Sequence, residues 1–328
     1  MKLSIVIIIW NDKKVLPDCL ASIYKETKDI DFEVIISDNN STDGMVDFVR
    51  ENYPQAVVVE NKTNLGFARG NNAGIAVAKG EYILILNPDT IIRDRALDKW
   101  IAWADKRPEA GAFGCRVLNS DGSFQNPARP FPTVFRYLIA ALYLRPLALL
   151  SPFFYSDTYT GWKGKTERAI DWQSGCCVLF RNTVLKQVDG FDKRFFYHFE
   201  EVDLCYRINK AGYKVLFFPG AEITHLGGQS VGRFPVRFEL ERYRNRYRYF
   251  HKHFGMKGAK QCRIVSILAL QVRKFGYGLQ YLFQKTEPLK DRLEMYRTAI
   301  KWNSELNIEQ FITNGKEPDL GFEPMKLD

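Results

Sequence analysis

Tyr82-Ile83-Leu84-Ile85-Leu86-Asn87-Pro88-Asp89: five apolar residues run without a break into a turn that ends in a carboxylate. So short a run without polar alternation reads as a strand buried on both faces. Pro88 holds Asn87 extended and fixes the turn. The same pattern recurs outward from it. Residues 3–9, 32–37, 56–60 and 110–118 are further apolar runs. Between them, 14–28 (Val15, Leu16, Leu20 and Ile23 at helical spacing), the stretch opened by Ser41-Thr42-Asp43, 67–78 and 93–106 read as helices. Strands alternating with helices predict an α/β fold: a Rossmann-like, mostly parallel central sheet flanked by helices. Such sheets bind ligands at the carboxyl ends of their strands.

The chain has 328 residues, 46% of them hydrophobic. That builds the core of one large domain or two ordinary ones and excludes disorder over the bulk of the chain. Past residue 118 the pattern loosens. Asp121-Gly122-Ser123 reads as a turn, and 127–152 is apolar but interrupted by proline. Residues 170–180 read as one strand containing Gly175, and 200–211 as a helix closed by Gly212. Short strands are expected at 213–218 and 222–225. The six cysteines (Cys19, Cys115, Cys176, Cys177, Cys205, Cys262) lack metal-type spacing. They are expected to be small buried residues of a protein in a reducing compartment, with Cys176 and Cys177 on opposite strand faces. The N-terminal apolar run is too short for a secretory signal, and no stretch is expected to cross a membrane.

Charge is concentrated. The net charge is +9, and ten Lys and Arg against Glu239 and Glu241 give +8 between Arg233 and Arg263. The chain thus reads as a globular body, residues 1–232, followed by a basic, mainly helical region, 233–328. A localised cationic block points to anionic partners.

The chemistry-bearing residues sit where strands end. Asp38 precedes the turn Asn39-Asn40, and its carboxylate can accept hydrogen bonds from a base or ribose. Asn64-Leu65-Gly66 opens a helix whose N-terminus can hold a phosphate, with Arg69 one turn on. It is neither a dinucleotide loop nor a Walker loop. Asp89 is placed to bridge a hard divalent cation to a diphosphate. Glu200, Glu201 and Asp203 crowd three carboxylates into four residues at a helix start, beside Phe195, Phe196, Tyr197 and Phe199. The helix dipole relieves part of their repulsion, and apolar rings raise a carboxyl pKa toward that of a base. His225 ends a strand before Gly227-Gly228. Each feature also has a plain structural account: a turn, a helix cap or a solvated helix start.

Taken in order, Asp38, Asn64-x-Gly66, Asn87-Pro88-Asp89, Trp172-x-Ser174-Gly175, Glu200-Glu201-x-Asp203 and His225 resemble the family 2 inverting glycosyltransferases. Within them the series is most similar to the bacterial rhamnosyltransferase-like branch, over roughly residues 3–255. The resemblance implies a GT-A fold, with a nucleotide-sugar half at about 1–118 and an acceptor half at about 119–232. It implies a nucleotide-diphosphate sugar donor and Mg2+ or Mn2+. Asp38 would contact the base, with Asn64, Gly66, Arg69 and Asn87 also on the donor. Asn87-Pro88-Asp89 fills the slot of the metal-binding Asp-x-Asp, with Asp89 and His225 near the metal. Trp172, Ser174, Gly175 and Glu200 would line the acceptor side. Glu201 matches the catalytic base, and Asp203 stands beside it as the alternative. Two positions depart from the family pattern: Asn87 replaces the first Asp, and Glu201 replaces the usual Asp.

The resemblance further implies a single inverting displacement that builds cell-surface polysaccharide, with dTDP-rhamnose as first donor and UDP-hexoses next. The acceptor is expected to be a saccharide or a polyprenyl-diphosphate-linked saccharide. The basic block, including Arg242, Arg244, Arg246 and Arg248 as surface cations, would hold the protein peripherally on an anionic membrane at the cytoplasmic inner face, not on nucleic acid. A helix that braces the catalytic body is the plainer account of it. Competing functions are a sugar nucleotidyltransferase, which the glycine-free loop Trp10-Asn11-Asp12-Lys13-Lys14 disfavours, a nucleic-acid-binding protein, and a non-catalytic acceptor binder.

Overall fold

The computed structural model describes residues 1–227 and 235–319. Gly228, Arg233 and the expected division at 232/233 lie outside them. The described chain forms two compact units: residues 1–131 with 162–227, and residues 132–161 with 235–319.

The first unit is a sheet protein. Its opening elements are β1 (Leu3–Ile9), α1 (Leu16–Glu26), β2 (Phe32–Asp38), α2 (Met45–Asn52), β3 (Val57–Glu60), α3 (Gly66–Val77) and β4 (Tyr82–Leu86). β1 and β4 are apolar because both faces are covered: nearly every residue of the two is buried. α1 buries Leu16, Cys19, Leu20 and Ile23, a helical stripe. α3 lies much closer to the sheet. A Cβ on Gly70 would come 2.2 Å from Ile8, and one on Gly74 2.5 Å from Val6.

The unit continues through β5 (Thr90–Ile92), α4 (Ala96–Ala104), β6 (Ala110–Leu118) and β7 (Ala128–Arg129). The nine-stranded sheet runs β3-β2-β1-β4, then β10 (Cys177–Arg181), β6, β11 (Lys214–His225) and β5, with β8 (Arg168–Ile170) on β11. The first four strands are parallel, as expected. β10 enters antiparallel between β4 and β6, so the second half is mixed. Two strand expectations need correction. The single strand at 170–180 is broken by Ser174-Gly175-Cys176, which separates β9 (Trp172–Gln173) from β10, and β9 pairs with β7. Cys176 is therefore in a turn, buried like the other five cysteines. The two strands expected around Pro219-Gly220 are one strand, β11, whose pairing with β6 shifts register between Phe218 and Glu222. A strand can absorb Pro and Gly at such an irregularity because the ladder is already interrupted there. α6 (Asn182–Gln187) and α7 (Glu200–Lys210) complete the unit.

The second unit is helical: α5 (Val134–Ala141), short turns at Arg145–Leu149 and Pro152–Phe154, α8 (Pro235–Phe283), α9 (Glu287–Glu305) and α10 (Ile308–Asn314). Gly255, at φ 68, interrupts α8. The segment 132–161, read from sequence as part of the catalytic body, groups with these helices, because Val134, Tyr137, Leu138 and Ala141 of α5 pack on Val265 and Ala269. No described helix is long and apolar enough to cross a membrane.

Here the basic block is corrected. Arg244 and Arg246 are buried, not surface cations. Arg244 pairs with Glu241 at 3.2 Å and Glu317 at 2.6 Å. Arg246 lies 4.4 Å from the centre of the Tyr137 ring and 4.8 Å from that of Tyr243, and donates to Ser266. Arg242 pairs with Glu239 at 2.5 Å, and Arg248 approaches Glu241 at 3.6 Å. Tyr243, Tyr247 and Trp302 fill the surrounding interior. Guanidinium stems with aromatic faces, the buried Glu241 and the half-buried Glu239 and Glu317 make a core, which charge counting along the sequence reads as a surface.

Candidate active site

The carboxyl ends of β1, β2 and β4 and the start of α7 gather the site. The loops after β1 and β2 are stitched together first. Asn11 Oδ1 accepts from Thr42 N–H (2.8 Å), Asn11 N–H donates to Ser41 (3.0 Å), and Lys13 N–H donates to Asp43 (2.9 Å). Asp38 is buried, and both its oxygens accept from Ser41 N–H, at 3.1 and 3.2 Å. The acid expected to read a base thus also closes the turn that follows it. The Ser41-Thr42-Asp43 helix start shifts to Gly44, and Asp43 accepts from Met45 N–H instead.

The Asn64–Gly66 loop is joined to β2 by a residue the sequence reading passed over. Asn39 donates to Asn64 Oδ1 (3.1 Å) and to the Gly66 carbonyl (3.2 Å). Gly66 has φ +74, and a Cβ there would lie 2.5 Å from the Phe196 carbonyl oxygen. Phe67 N–H donates to that same carbonyl at 2.7 Å. Arg69 is turned to the Lys193 carbonyl (3.1 Å). The loop before α7 and the start of α3 are therefore held face to face.

At the end of β4, Asn87 N–H donates to the Cys176 carbonyl (2.9 Å), and Asp89 is buried. β11 runs beside β5 with His225 opposite Thr90. That register sets His225 Nε2 3.2 Å from Asp89 Oδ1. Nδ1 of His225 meets Gln125 Oε1 at 2.7 Å, and Gln125 is held by Asn119 at 2.8 Å. A carboxylate and an oriented imidazole converge at a strand end, a donor set that suits a divalent cation completed by diphosphate and water oxygens. Among the described residues no group of three or more His, Cys, Asp or Glu could hold one. The two donors fit such a shared site and not an all-protein cage.

α7 begins at Glu200, after His198 and Phe199 at positive φ (67 and 74). Its three acids have different surroundings. Burial pushes the Glu201 carboxyl up to about 6, against the N–H groups of Glu201, Gly175 and Val202 and the Arg129 charge, which lower it. Glu201 Oε2 has no hydrogen-bond partner among the described residues. Asp203 is fully buried and accepts from Arg207 Nε at 2.8 Å. Arg207 also donates to the carbonyls of Val188 and Gly190. Asp203 thus ties α7 to the α6 loop, whereas Glu201 keeps one buried oxygen unpaired among the described residues. Glu200 is buried beside it.

Electrostatics joins the two ends of the site. Burial, then Glu200, Glu201 and Asp89, push the Tyr197 phenol well up. Burial also pushes the Cys176 thiol up to about 12, with Asp89 and Glu201 both adding to it. On the remaining side, Trp172 Nε1 donates to the Pro130 carbonyl (3.0 Å), and Ser174 N–H to that of Pro127 (2.9 Å). A Cβ on Gly175 would lie 3.1 Å from the Phe67 ring and 3.9 Å from Glu201 Cβ. Sequence reading missed Asn11, Asn39 and Gln125 as site members and took Tyr197 only as a ring beside the acids. Asn11 and Asn39 were findable as polar residues directly after strands. Gln125 has no local mark, since its partner lies a hundred residues away.

The family model of Glycosyl transferase family 2 matches residues 4–188. The N-acetylglucosaminyl-diphospho-decaprenol L-rhamnosyltransferase of Mycobacterium tuberculosis is 30% identical over 239 residues, 68% of this chain and 76% of that protein. Rhamnosyltransferase WbbL of Escherichia coli is 27% identical over 169 residues, 49% of this chain and 60% of its own. Among solved structures, the mannosyltransferase PcManGT of Pyrobaculum calidifontis, in complex with GDP-Man and Mn2+, matches with TM-score 0.57 at 17% identity, over 96% of this chain and 88% of its own. That last likeness is one of fold, a GT-A sheet with flanking helices. With acids at the strand ends and more than half its length matched, the chain belongs to glycosyl transferase family 2 and is a glycosyltransferase.

Proposed function

We propose that the protein transfers a sugar, with rhamnose the first candidate, from a nucleoside-diphosphate sugar to a saccharide carried on a polyprenyl diphosphate, inverting the anomeric centre. The observation that carries this reading is Glu201: a buried carboxylate with a raised pKa and one oxygen without a hydrogen-bond partner among the described residues, acting on the Tyr197 phenol together with Asp89, the partner of His225. The Mycobacterium tuberculosis relative supports the donor and acceptor classes by its name.

A sugar hydroxyl is a poor nucleophile at neutral pH. Glu201 takes its proton as the oxygen attacks the anomeric carbon, and the bond to the diphosphate breaks on the opposite face. With a pKa near 6, Glu201 is mostly ionised at pH 7 and close enough to it to be an effective base. Asp203 holds α7 in place through Arg207 and is assigned no proton. Asp38, Asn64 and the N-terminus of α3 face the donor, and Trp172, Ser174, Gly175 and Glu200 the acceptor. Asp89 and His225 would hold Mg2+ or Mn2+, which when bound neutralises charge gathering on the leaving diphosphate. Gln125 keeps His225 Nε2 directed at Asp89. The acceptor class implies work at the cytoplasmic inner face of a membrane with an anionic surface.

The test is a panel of nucleotide sugars screened by thermal shift with and without Mg2+ or Mn2+, since a ligand that binds only the native state raises its melting temperature. The expected outcome is a cation-dependent rise with one donor class, lost in Asp89→Ala while the fold survives. Full transfer by Asp89→Ala, or undiminished wild-type transfer in EDTA, would defeat the metal role.

A further inference from the structure

In the sheet unit the large apolar side chains exposed to solvent are few among the described residues: Met1, Val57, Val77 and Leu226. The smaller helical unit exposes thirteen. They come from two stretches, 135–153 and 254–283. Past Gly255, α8 exposes Ile264, Phe275, Leu279 and Leu282, spaced eleven, four and three residues apart, which keeps them on one helix face. Val265 and Ala269 turn the other way, onto α5. This helix is therefore apolar on the side it buries and on the side it shows. α5 adds Phe135 and Leu142, and Phe153 lies against Phe135 with ring centres 4.8 Å apart. Phe283 is 87% exposed and Leu150 82%. Scattered exposed apolar residues are ordinary, but a concentration of this kind in one unit marks an interaction surface.

Charge identifies the occupant. No Asp or Glu occurs from Gly122 to Ser156, and none from Arg242 to Thr286. These two acid-free stretches are the ones that carry the exposed apolar residues. Exposed Lys257, Lys274 and Lys285 lie within the second. Two copies joined through this face would set cation against cation, with no acid in either stretch to pair them. An anionic bilayer supplies both an apolar interior and the opposite charge.

We infer that the exposed apolar face of α5, the 142–153 turns and the second half of α8 is a lipid-docking surface that enters one leaflet, with neighbouring lysines on anionic headgroups. It deepens the reading of a lipid-linked acceptor and rests on that reading for its purpose, though not for its physics. It also moves the membrane contact away from the arginine row, in which Arg244 and Arg246 are interior.

The test is co-sedimentation of the full chain, without sugar nucleotide, with vesicles of equimolar phosphatidylglycerol and phosphatidylcholine or of phosphatidylcholine alone. Binding to the anionic vesicles is expected, weakened but not abolished by salt. The variant combining Phe275→Ser, Leu279→Ser, Leu282→Ser and Phe283→Ser should lose binding by roughly a hundredfold or more, since each buried side chain contributes severalfold. Its melting temperature should not fall, because these residues are already in water. Leu149→Ser with Leu150→Ser checks the other stretch independently and should also weaken binding. Wild-type retention by both variants, or no vesicle binding by the wild type, overturns the inference. So does a concentration-dependent dimer, seen without vesicles and abolished by the quadruple variant, because the occupant is then a second copy. Transfer to a water-soluble saccharide is scored separately. If it persists while vesicle binding fails, only the docking surface is lost. If the wild type binds vesicles but transfers no sugar, only the proposed function is lost.

Discussion

Glu201 and Asp203 are two residues apart on one helix, yet their surroundings separate their chemistry. Glu201 is buried with one oxygen unpaired among the described residues, while Asp203 is neutralised by Arg207. Glu201→Gln keeps shape and removes proton acceptance, so turnover should fall by roughly 10²–10⁴ with donor affinity nearly unchanged. Wild-type turnover should fall as pH drops through about 6, because the base must be ionised. Stability has its own sign. The folded-state pKa lies above the ordinary 4.5, so this group's contribution is fully present below about pH 4.5 and is lost as pH rises through about 6. At pH 7 Glu201→Gln should therefore be more stable than wild type by about 2 kcal/mol, and the gap should close in acid. Asp203→Asn should do the reverse, lowering stability by on the order of 3 kcal/mol by leaving Arg207 half-paired. Paired denaturation and rate measurements check both. A large rate loss in a stably folded Asp203→Asn, with little in Glu201→Gln, would exchange the assignments.

Elements set the distances that those residues use. α3 begins at positive φ against the Phe196 carbonyl, and that single close approach joins the donor-side loop to the segment entering α7. Gly66→Ala should cost at least about 2 kcal/mol through strain and displacement of Phe196. Donor binding and turnover should fall together, since both loops move. Chemical denaturation alongside donor titration reads this, and an unchanged midpoint would show that the loop gives way freely. β11 and β5 place His225 at Asp89, and Gln125 from the connection between β6 and β7 orients the ring. Gln125→Ala should weaken cation-dependent donor binding by roughly 10–100-fold, as loss of an outer-shell partner does. Cation-independent donor binding should be unchanged. An equal loss with and without cation would reduce Gln125 to a fold role.

At the scale of the whole molecule, the charge excess and the aromatic residues belong to the interior of the helical unit as much as to its surface. Buried Arg244 and Glu241 cluster with half-buried Glu317, Arg244 lies over the Trp302 ring, and Tyr247 stacks on that ring with centres 6.3 Å apart. Arg244→Gln should therefore destabilise the protein by about 3 kcal/mol, visible as a lowered melting temperature, and should leave the salt dependence of vesicle binding as it was. A stable Arg244→Gln with weakened vesicle binding would return that arginine to the surface.

The first four parallel strands and their helices were legible in the sequence because a strand covered on both faces must be continuously apolar, and that mark is local. The acids at strand ends were legible for the same reason: Asp38, Asp89 and Glu201 each follow or open an element whose boundary is written in neighbouring residues. What joins them is not local. The antiparallel insertion of β10 and the 3.2 Å approach of His225 to Asp89 depend on partners far along the chain, whereas the Asp203–Arg207 pair spans a single turn of α7. The arginine row shows the limit most plainly. Composition determines that cations and aromatics occur together, but burial decides whether they face water or one another, and burial is a property of the packed chain alone.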